Sequence, residues 1–494
     1  MRHYERYRWD GQVTVFALMI FMVVLSVLIG QYRSALFYAC YTDANTAARL
    51  SADAFLAAYH RELRNCYGIL AVDAGCGQKT FNSQKIEQKL LQDFKRNIEG
   101  SLIRTQVELV NFTESPIYTC LIDGDWEFFI RELNLNCQEK LIDQGVEWIA
   151  EQWKTNNNQA EKELVEKKKG AEQAENDSNS SSEGELQESG VSDPREGLMS
   201  IWNQGILVAA SPSGFKVSEK EMSISDLSYP ETGERLGADI DFEDENSVLA
   251  LFDQWENILN PELLTDSLSD NLVIRSYIHE YFQNACNQTK TEKSQSVLDY
   301  EIEYLIGGQN TDEENLKNVL WKLLALRCAF NLSYLMMSVE KSQQVTATAA
   351  ALSSAMLIPQ FTEVTAFILK VMWAFAESLS DCRALLSGRN IPLVKDDDTW
   401  YLTWESMLSL KSGMLDGNQS EEGWGYDTYL QILMTFTEQN TICRRMTHLM
   451  EKNIRKIPGN ENFWMKNCIY GIQVNYTCSF VNFGDFRIQT ALSY

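Results

Sequence analysis

The chain has 494 residues, 45% hydrophobic and 23% charged, a length that exceeds one ordinary core and predicts two or more folded units. Its 43 Lys and Arg stand against 69 Asp and Glu, for a net charge of −26; a surface that acidic repels phosphate backbones, which excludes nucleic acid as an expected partner. Four dispersed histidines and eleven cysteines without a C-x-x-C pair leave no spacing for a zinc site, so no metal or cofactor is expected.

Residues 1–11 read as a basic cytoplasmic leader carrying Arg2, Arg6 and Arg8. In 13–29 only Thr14 and Ser26 interrupt an apolar run, which predicts a transmembrane helix over 12–31. Tyr4, Tyr7 and Trp9 precede it and Tyr32, Tyr38 and Tyr41 follow, as aromatic rings do at the two membrane interfaces. The basic bias keeps the N-terminus in the cytoplasm and sends the bulk of the chain outside. The run is longer than the core of a cleaved signal, and no small-x-small site follows it, so the segment is expected to stay attached.

Two forms of attachment remain open. One is a plain anchor; the other is a handle like that of type IV pilins, where a basic leader ends in glycine and is cut before the apolar run. Gly11 and Gln12 stand at that position, but Phe16 replaces the glutamate usual in such helices. No proline occurs before Pro116, and 12–63 reads as one helix interrupted only at Gly30, about 75 Å long. Within it Ala44, Ala47, Ala48, Ser51, Ala52, Ala54 and Ala58 recur at three- and four-residue intervals, a small-residue stripe that admits close packing by another subunit or by the chain's own domain.

Residues 32–154 read as a helical stalk followed by a first α+β segment, with a turn-rich stretch at 64–77, strand alternation at 106–112 and helical period at 136–153. Cys66/Cys76 and Cys468/Cys478 are near enough in sequence to close short loops in an oxidising compartment. The sequence Gly75, Gly77, Lys79, Thr80 fails as a phosphate loop because Gln78 stands where glycine must precede lysine. Residues 155–197 lack aromatics and are rich in Ser, Glu and Asn, which predicts a disordered linker or insertion. Residues 198–494 are expected to be mainly helical with C-terminal strands. Long helices are predicted at 316–337, 342–356 and 361–386; Glu363, Lys370, Glu377 and Asp381 mark the last as soluble core and not membrane. The final stretch alternates as two strands around a turn, and pairing with 102–112 would make the linker an insertion. The fold class is α+β.

The blocks "LDYEIEYLIGG" (298–308), "ENLKNVLWKLLALRCAFNLSYL" (314–335) and "MWAFAESLSDCRALLSGRNIPLVK" (372–395), with "GQVTVFALMIFMVVLSVLI" (11–29) and "YHRELRNCYGILAVD" (59–73), resemble bacterial family 5702 of the domains of unknown function. The resemblance implies no enzymatic activity. Members occur mainly in Gram-positive bacteria, beside genes for Tad-type pilus and secretion components, which implies a pilin-like or assembly-accessory role.

Glu377 and Asp381 share a helix face, with Arg383 nearby and Arg327 on a neighbouring helix. Such a carboxylate pair could act as acid and base on a wall glycan, or form a buried ion-pair network, which is the expectation. Asp396, Asp397 and Asp398, like Asp123 and Asp125, lack the alternation of a calcium loop. Trp321 and Trp373 fall among apolar helix neighbours, as core residues do. The sequence therefore predicts a single-pass, membrane-anchored extracytoplasmic protein with a structural or assembly role and no catalysis. Its expected partners are the bilayer and, through the N-terminal helix, pilus or secretion subunits. A membrane-tethered cell-wall hydrolase and a surface binding protein unrelated to pili are the competing readings.

Overall fold

The computed structural model describes residues 4–99, 107–137, 193–237, 240, 247–248, 250–251, 254–255, 268–287, 296–355, 361–481 and 483–494. They fall into two compact units, Met1–Phe128 with Gly459–Tyr494, and Phe129–Pro458. The predicted linker at 155–197 lies outside the described residues up to 192, as does most of the helix predicted at 136–153.

The first unit opens with α1 (Tyr4–Leu56). Gly30 does not interrupt it: nothing surrounds that position within 4 Å, and one glycine costs only about 1 kcal/mol in a helix of this length. The helix also stops short of the expected end at residue 63. Ala57 and Ala58 form a turn, donating to Asp53 O at 2.8 Å and Phe55 O at 3.1 Å. His60 then caps α2 (Arg61–Tyr67) by accepting from the Leu63 N–H, and Gly68 closes it at φ 71°.

The strands β1 (Val72–Asp73), β2 (Val107–Cys120), β3 (Cys468–Phe480) and β4 (Gly484–Ser493), with α3 (Ser83–Glu99) between β1 and β2, complete the unit. All pairings are antiparallel, and β3 is central: β2 runs along it, β4 pairs with it from Gly471 to Phe480, and β1 takes Cys468 and Ile469. The strands at the two ends of the chain thus share one sheet. The β2 ladder slips register between Glu114 and Ile117, where Pro116 has no N–H to give. Cys468 and Cys478 sit ten positions apart on the same extended strand, roughly 33 Å at 3.3 Å per residue, so they do not bridge each other.

From Ile472 onward β3 alternates strictly, burying Ile472, Val474, Tyr476, Cys478 and Phe480. The core they enter includes Ala44, Ala48, Ala52 and Phe55 of α1 and Ile86, Leu90, Phe94 and Ile98 of α3. Small residues on α1 let a helix backbone lie close to the sheet, and α3 fills the remaining space with large apolar side chains at helical spacing.

The second unit is mainly helical. After α4 (Glu127–Cys137), which starts at the junction of the units, come α5 (Pro194–Trp202), α6 (Ile206–Ala210), α7 (Leu268–Tyr281), α8 (Glu301–Gly307), α9 (Asp312–Met337), α10 (Val339–Ala355), α11 (Thr362–Leu386), α12 (Trp404–Met407), α13 (Tyr426–Thr435) and α14 (Gln439–Arg455). Asp193 caps α5, whose first residue is proline, so the last residues of the predicted linker belong to a helix. Thr311 caps α9 by accepting from Glu314 N–H, and three acidic residues follow in its first turn. The α9 helix is long and apolar enough to cross a membrane, yet 78% of its most apolar window is buried; an all-round apolar helix in that setting is the centre of a core.

Candidate functional site

Two features stand out, one in each unit. On α1 the apolar side chains from Val13 to Ile29 are left open, from 39% exposed at Leu25 to 65% at Phe16 and Leu18. No charged residue lies between Asp10 and Arg33. Each Leu, Ile, Phe or Val contributes roughly −0.3 to −0.6 kcal/mol on insertion into a bilayer, whereas one charge would cost about 3 kcal/mol; the segment as a whole favours lipid. It is long and apolar enough to span a membrane. The backbone at Gly11 and Gln12 is helical.

Among the described side chains, coverage by protein begins at Leu36, and Cys40 is the first that is buried. Of the small-residue stripe, Ala44, Ala48 and Ser51 are fully buried, covered by the unit's own sheet and α3. Ser51 also shares a hydrogen bond of 2.9 Å with the Tyr476 hydroxyl. Ala58 does not belong with them, because it lies exposed in the turn after the helix.

In the second unit α9 and α11 bring Arg327, Glu377 and Asp381 together with every side chain at 0% exposure. Arg327 grips Asp381 Oδ2 through Nε (3.0 Å) and Nη2 (2.9 Å). Its Nη1 donates to the carbonyls of Pro392 and Leu393 and to the Tyr429 hydroxyl, at 2.9, 2.8 and 3.0 Å. Asn331 donates to the same Asp381 oxygen at 3.0 Å. The fourth charge is Lys395, which sequence reasoning missed. Its Nζ lies 2.6 Å from Asp381 Oδ1 and also bonds Glu377 Oε1. Glu377 further accepts from the backbone N–H groups of Tyr401 (2.9 Å) and Leu402 (2.8 Å). Two cations and two anions thus cancel.

Burial alone would raise the Asp381 carboxyl, but Lys395, Arg327 and their hydrogen bonds hold it below the usual carboxylate range. That is the reverse of what a general acid needs. Arg383 is not part of this group. It donates to Ala209 O (2.8 Å), Val208 O (2.9 Å) and Ser412 O (2.8 Å) and pairs with Asp416 at 3.1 Å, tying α6 and the loop at 412–416 to α11. Two residues along a helix turn a side chain about 200° away, so Arg383 and Asp381 face different neighbours.

Two further titratable groups lie in this unit. Glu303, fully buried, accepts from Ala285 N–H (2.9 Å) and the Tyr426 hydroxyl (3.0 Å) through Oε1, while Oε2 has no partner. Burial, only partly offset by those bonds, pushes its carboxyl up to about 7. His448 accepts from the Tyr304 hydroxyl at Nδ1 (2.8 Å) and donates from Nε2 to Tyr229 O (2.6 Å). Burial depresses the imidazole to about 4, leaving it neutral. A surface groove of about 560 Å³ is lined by Phe330, Tyr334, Met337, Val394, Lys395 and Asp397 among others.

Among the described residues no group of three or more His, Cys, Asp or Glu is placed to hold a metal ion. The acidic loops serve as turn fasteners: Asp123 accepts from Cys120 N–H at 2.8 Å, Asp396 from Thr399 N–H at 2.9 Å, and Asp397 meets Lys341 at 2.6 Å.

The family described as "Family of unknown function (DUF5702)" matches over residues 184–480. No curated protein and no solved structure matches the chain.

Proposed function

The chain belongs to the DUF5702 family of unknown function, and from that premise we propose that it is a membrane-anchored extracytoplasmic protein with a structural or assembly role, a minor pilin-like subunit of a Tad-type pilus or secretion apparatus. The observation that carries this reading is the division of one continuous helix: α1 leaves its apolar first half open and builds its second half into the core of a folded unit. A helix so divided joins a bilayer to an antiparallel sheet without a linker. Arg2, Arg6 and Arg8 ahead of the apolar run favour a cytoplasmic N-terminus with the folded units outside.

The competing hydrolase reading asks for a carboxylic acid with a raised pKa opposite a second carboxylate. Glu377 and Asp381 are instead both bound to Lys395, and Glu377 also accepts from the Tyr401 and Leu402 N–H groups, which favours a role in holding helices together. Sequencing the N-terminus of the mature protein tests the pilin-like part: a chain that begins at Gln12 has been processed as a pilin is, and one that retains Met1 has not. Treating intact cells with an impermeant protease tests the orientation. Loss of both units is expected; their survival until lysis overturns the extracytoplasmic placement.

A further inference from the structure

At the end of the first unit where α1 emerges, aromatic rings collect from two distant parts of the sequence. Phe37 of α1 has its ring centroid 4.8 Å from that of Phe486 on β4 and 5.7 Å from that of Phe483 on the turn between β3 and β4, and 5.6 Å and 6.3 Å from those of Tyr38 and Tyr41. Tyr38 is 65% exposed and Tyr41 39%, while Phe37, Phe483 and Phe486 are half-buried, the last two against the unit's core, so the group is open on one side. Arg33 is exposed just ahead of Phe37, and Arg487 and Asp485 are exposed on β4, where Asp485 accepts from Ser479 Oγ at 2.6 Å.

Length then fixes what this end meets. A hydrocarbon layer that starts at Val13 uses about 20 residues of helix for its roughly 30 Å and ends near Arg33. Phe37 stands about 6 Å farther along the axis, inside a headgroup layer roughly 5–8 Å thick. Neither glycine nor proline occurs between Gln31 and Leu56 to let the helix hinge, and the unit's own coverage of α1 begins at Leu36. The folded unit has no slack with which to stand away from the lipid.

Resting on the membrane reading above, we infer that the turn between β3 and β4, with the start of β4, is a second membrane contact, in which Phe483 and Phe486 join Phe37 and Tyr38 as an aromatic collar in the headgroup layer around the emerging helix. Amphipathic rings favour that layer, and Arg33 and Arg487 supply cations for lipid phosphates. Contact at the helix and at the turn restricts the tilt of the unit on the membrane, which a single anchoring helix would leave free.

The test uses the full chain in nanodiscs of phosphatidylcholine and phosphatidylglycerol, with the photoreactive residue p-benzoyl-phenylalanine placed singly at Leu25, Phe483 or Ile117. Ile117 is 56% exposed and pairs opposite Gln473, well along the sheet from the turn. After irradiation, mass spectrometry is expected to find lipid adducts at Leu25 and Phe483, with a several-fold lower yield at Ile117. Adducts at Leu25 without adducts at Phe483, or equal yields at Phe483 and Ile117, overturn the collar while leaving the anchor intact. Absence of adducts at Leu25 overturns the membrane reading itself, and the collar with it.

Discussion

Replacing Lys395 with Met removes one cation from a group in which Arg327, Glu377, Asp381 and Lys395 all have 0% side-chain exposure. Two carboxylates then face a single guanidinium, and the uncompensated buried charge costs about 3–5 kcal/mol. The exposed pair of Lys317 and Glu313, at 39% and 52% exposure, sets the contrast: Lys317→Met should cost less than about 1 kcal/mol. Adding Glu377→Gln to Lys395→Met restores charge balance and should recover roughly 1–2 kcal/mol. Recovery stays incomplete because a glutamine places an NH2 against one of the two backbone N–H groups that Glu377 accepts from, leaving a buried donor unpaired. The readout is guanidinium denaturation of the full chain in detergent, followed by tryptophan emission. Trp400 reports locally, since Lys395 Nζ lies 5.7 Å from its ring centroid. A loss below about 1 kcal/mol for Lys395→Met, or a double variant less stable than the single one, refutes the view that charge cancellation holds this core.

Two pH effects should oppose each other in the second unit. Glu303 has its folded pKa raised from 4.5 to about 7, so the stability it contributes is full below 4.5 and is lost as pH rises through 7, roughly 3 kcal/mol in all. His448 has its folded pKa lowered from 6.5 to about 4, so its contribution is full above 6.5 and is lost, also by roughly 3 kcal/mol, as pH falls to 4. Glu303→Gln should therefore make the protein lose stability on acidification from pH 6.5 to 4.5, and His448→Gln should make it gain, as denaturant midpoints across that range will report; unchanged slopes refute both assignments. In the first unit, Ala48→Leu should destabilise by about 1–3 kcal/mol through overpacking against the sheet, while Ala54→Leu at an exposed position of the same helix should change thermal stability little. Equal effects would mean that the buried face of α1 is misassigned.

The apolar half of α1 was legible because hydropathy over 13–29 is a property of consecutive residues. The alternation of residues 472–480 likewise announced a strand with one buried face. The end of α1 was harder: helical propensity runs on through Leu63, and the stop comes from the His60 cap and from an N–H given by His60 to Ala71 O at 2.8 Å, a contact that no local pattern displays. The charged cluster was half legible. Spacing of four put Glu377 and Asp381 on one face, but Lys395 reaches them from the segment after α11, and only the apolar run Ile391–Val394 before it hinted that a lysine there would be buried. Arg383 was misplaced because nearness in sequence stood in for direction around the helix.

Ser51 and Tyr476 hydrogen-bond across 425 positions of sequence, and the whole second unit is encoded between them. On the ribosome α1 therefore emerges hundreds of residues before the strand that shields its alanine face. A polypeptide cut short between α3 and β3 would lack the strand whose Val474, Tyr476 and Cys478 share the core with that face. Closure of the first unit's core therefore waits until the second unit has been synthesised.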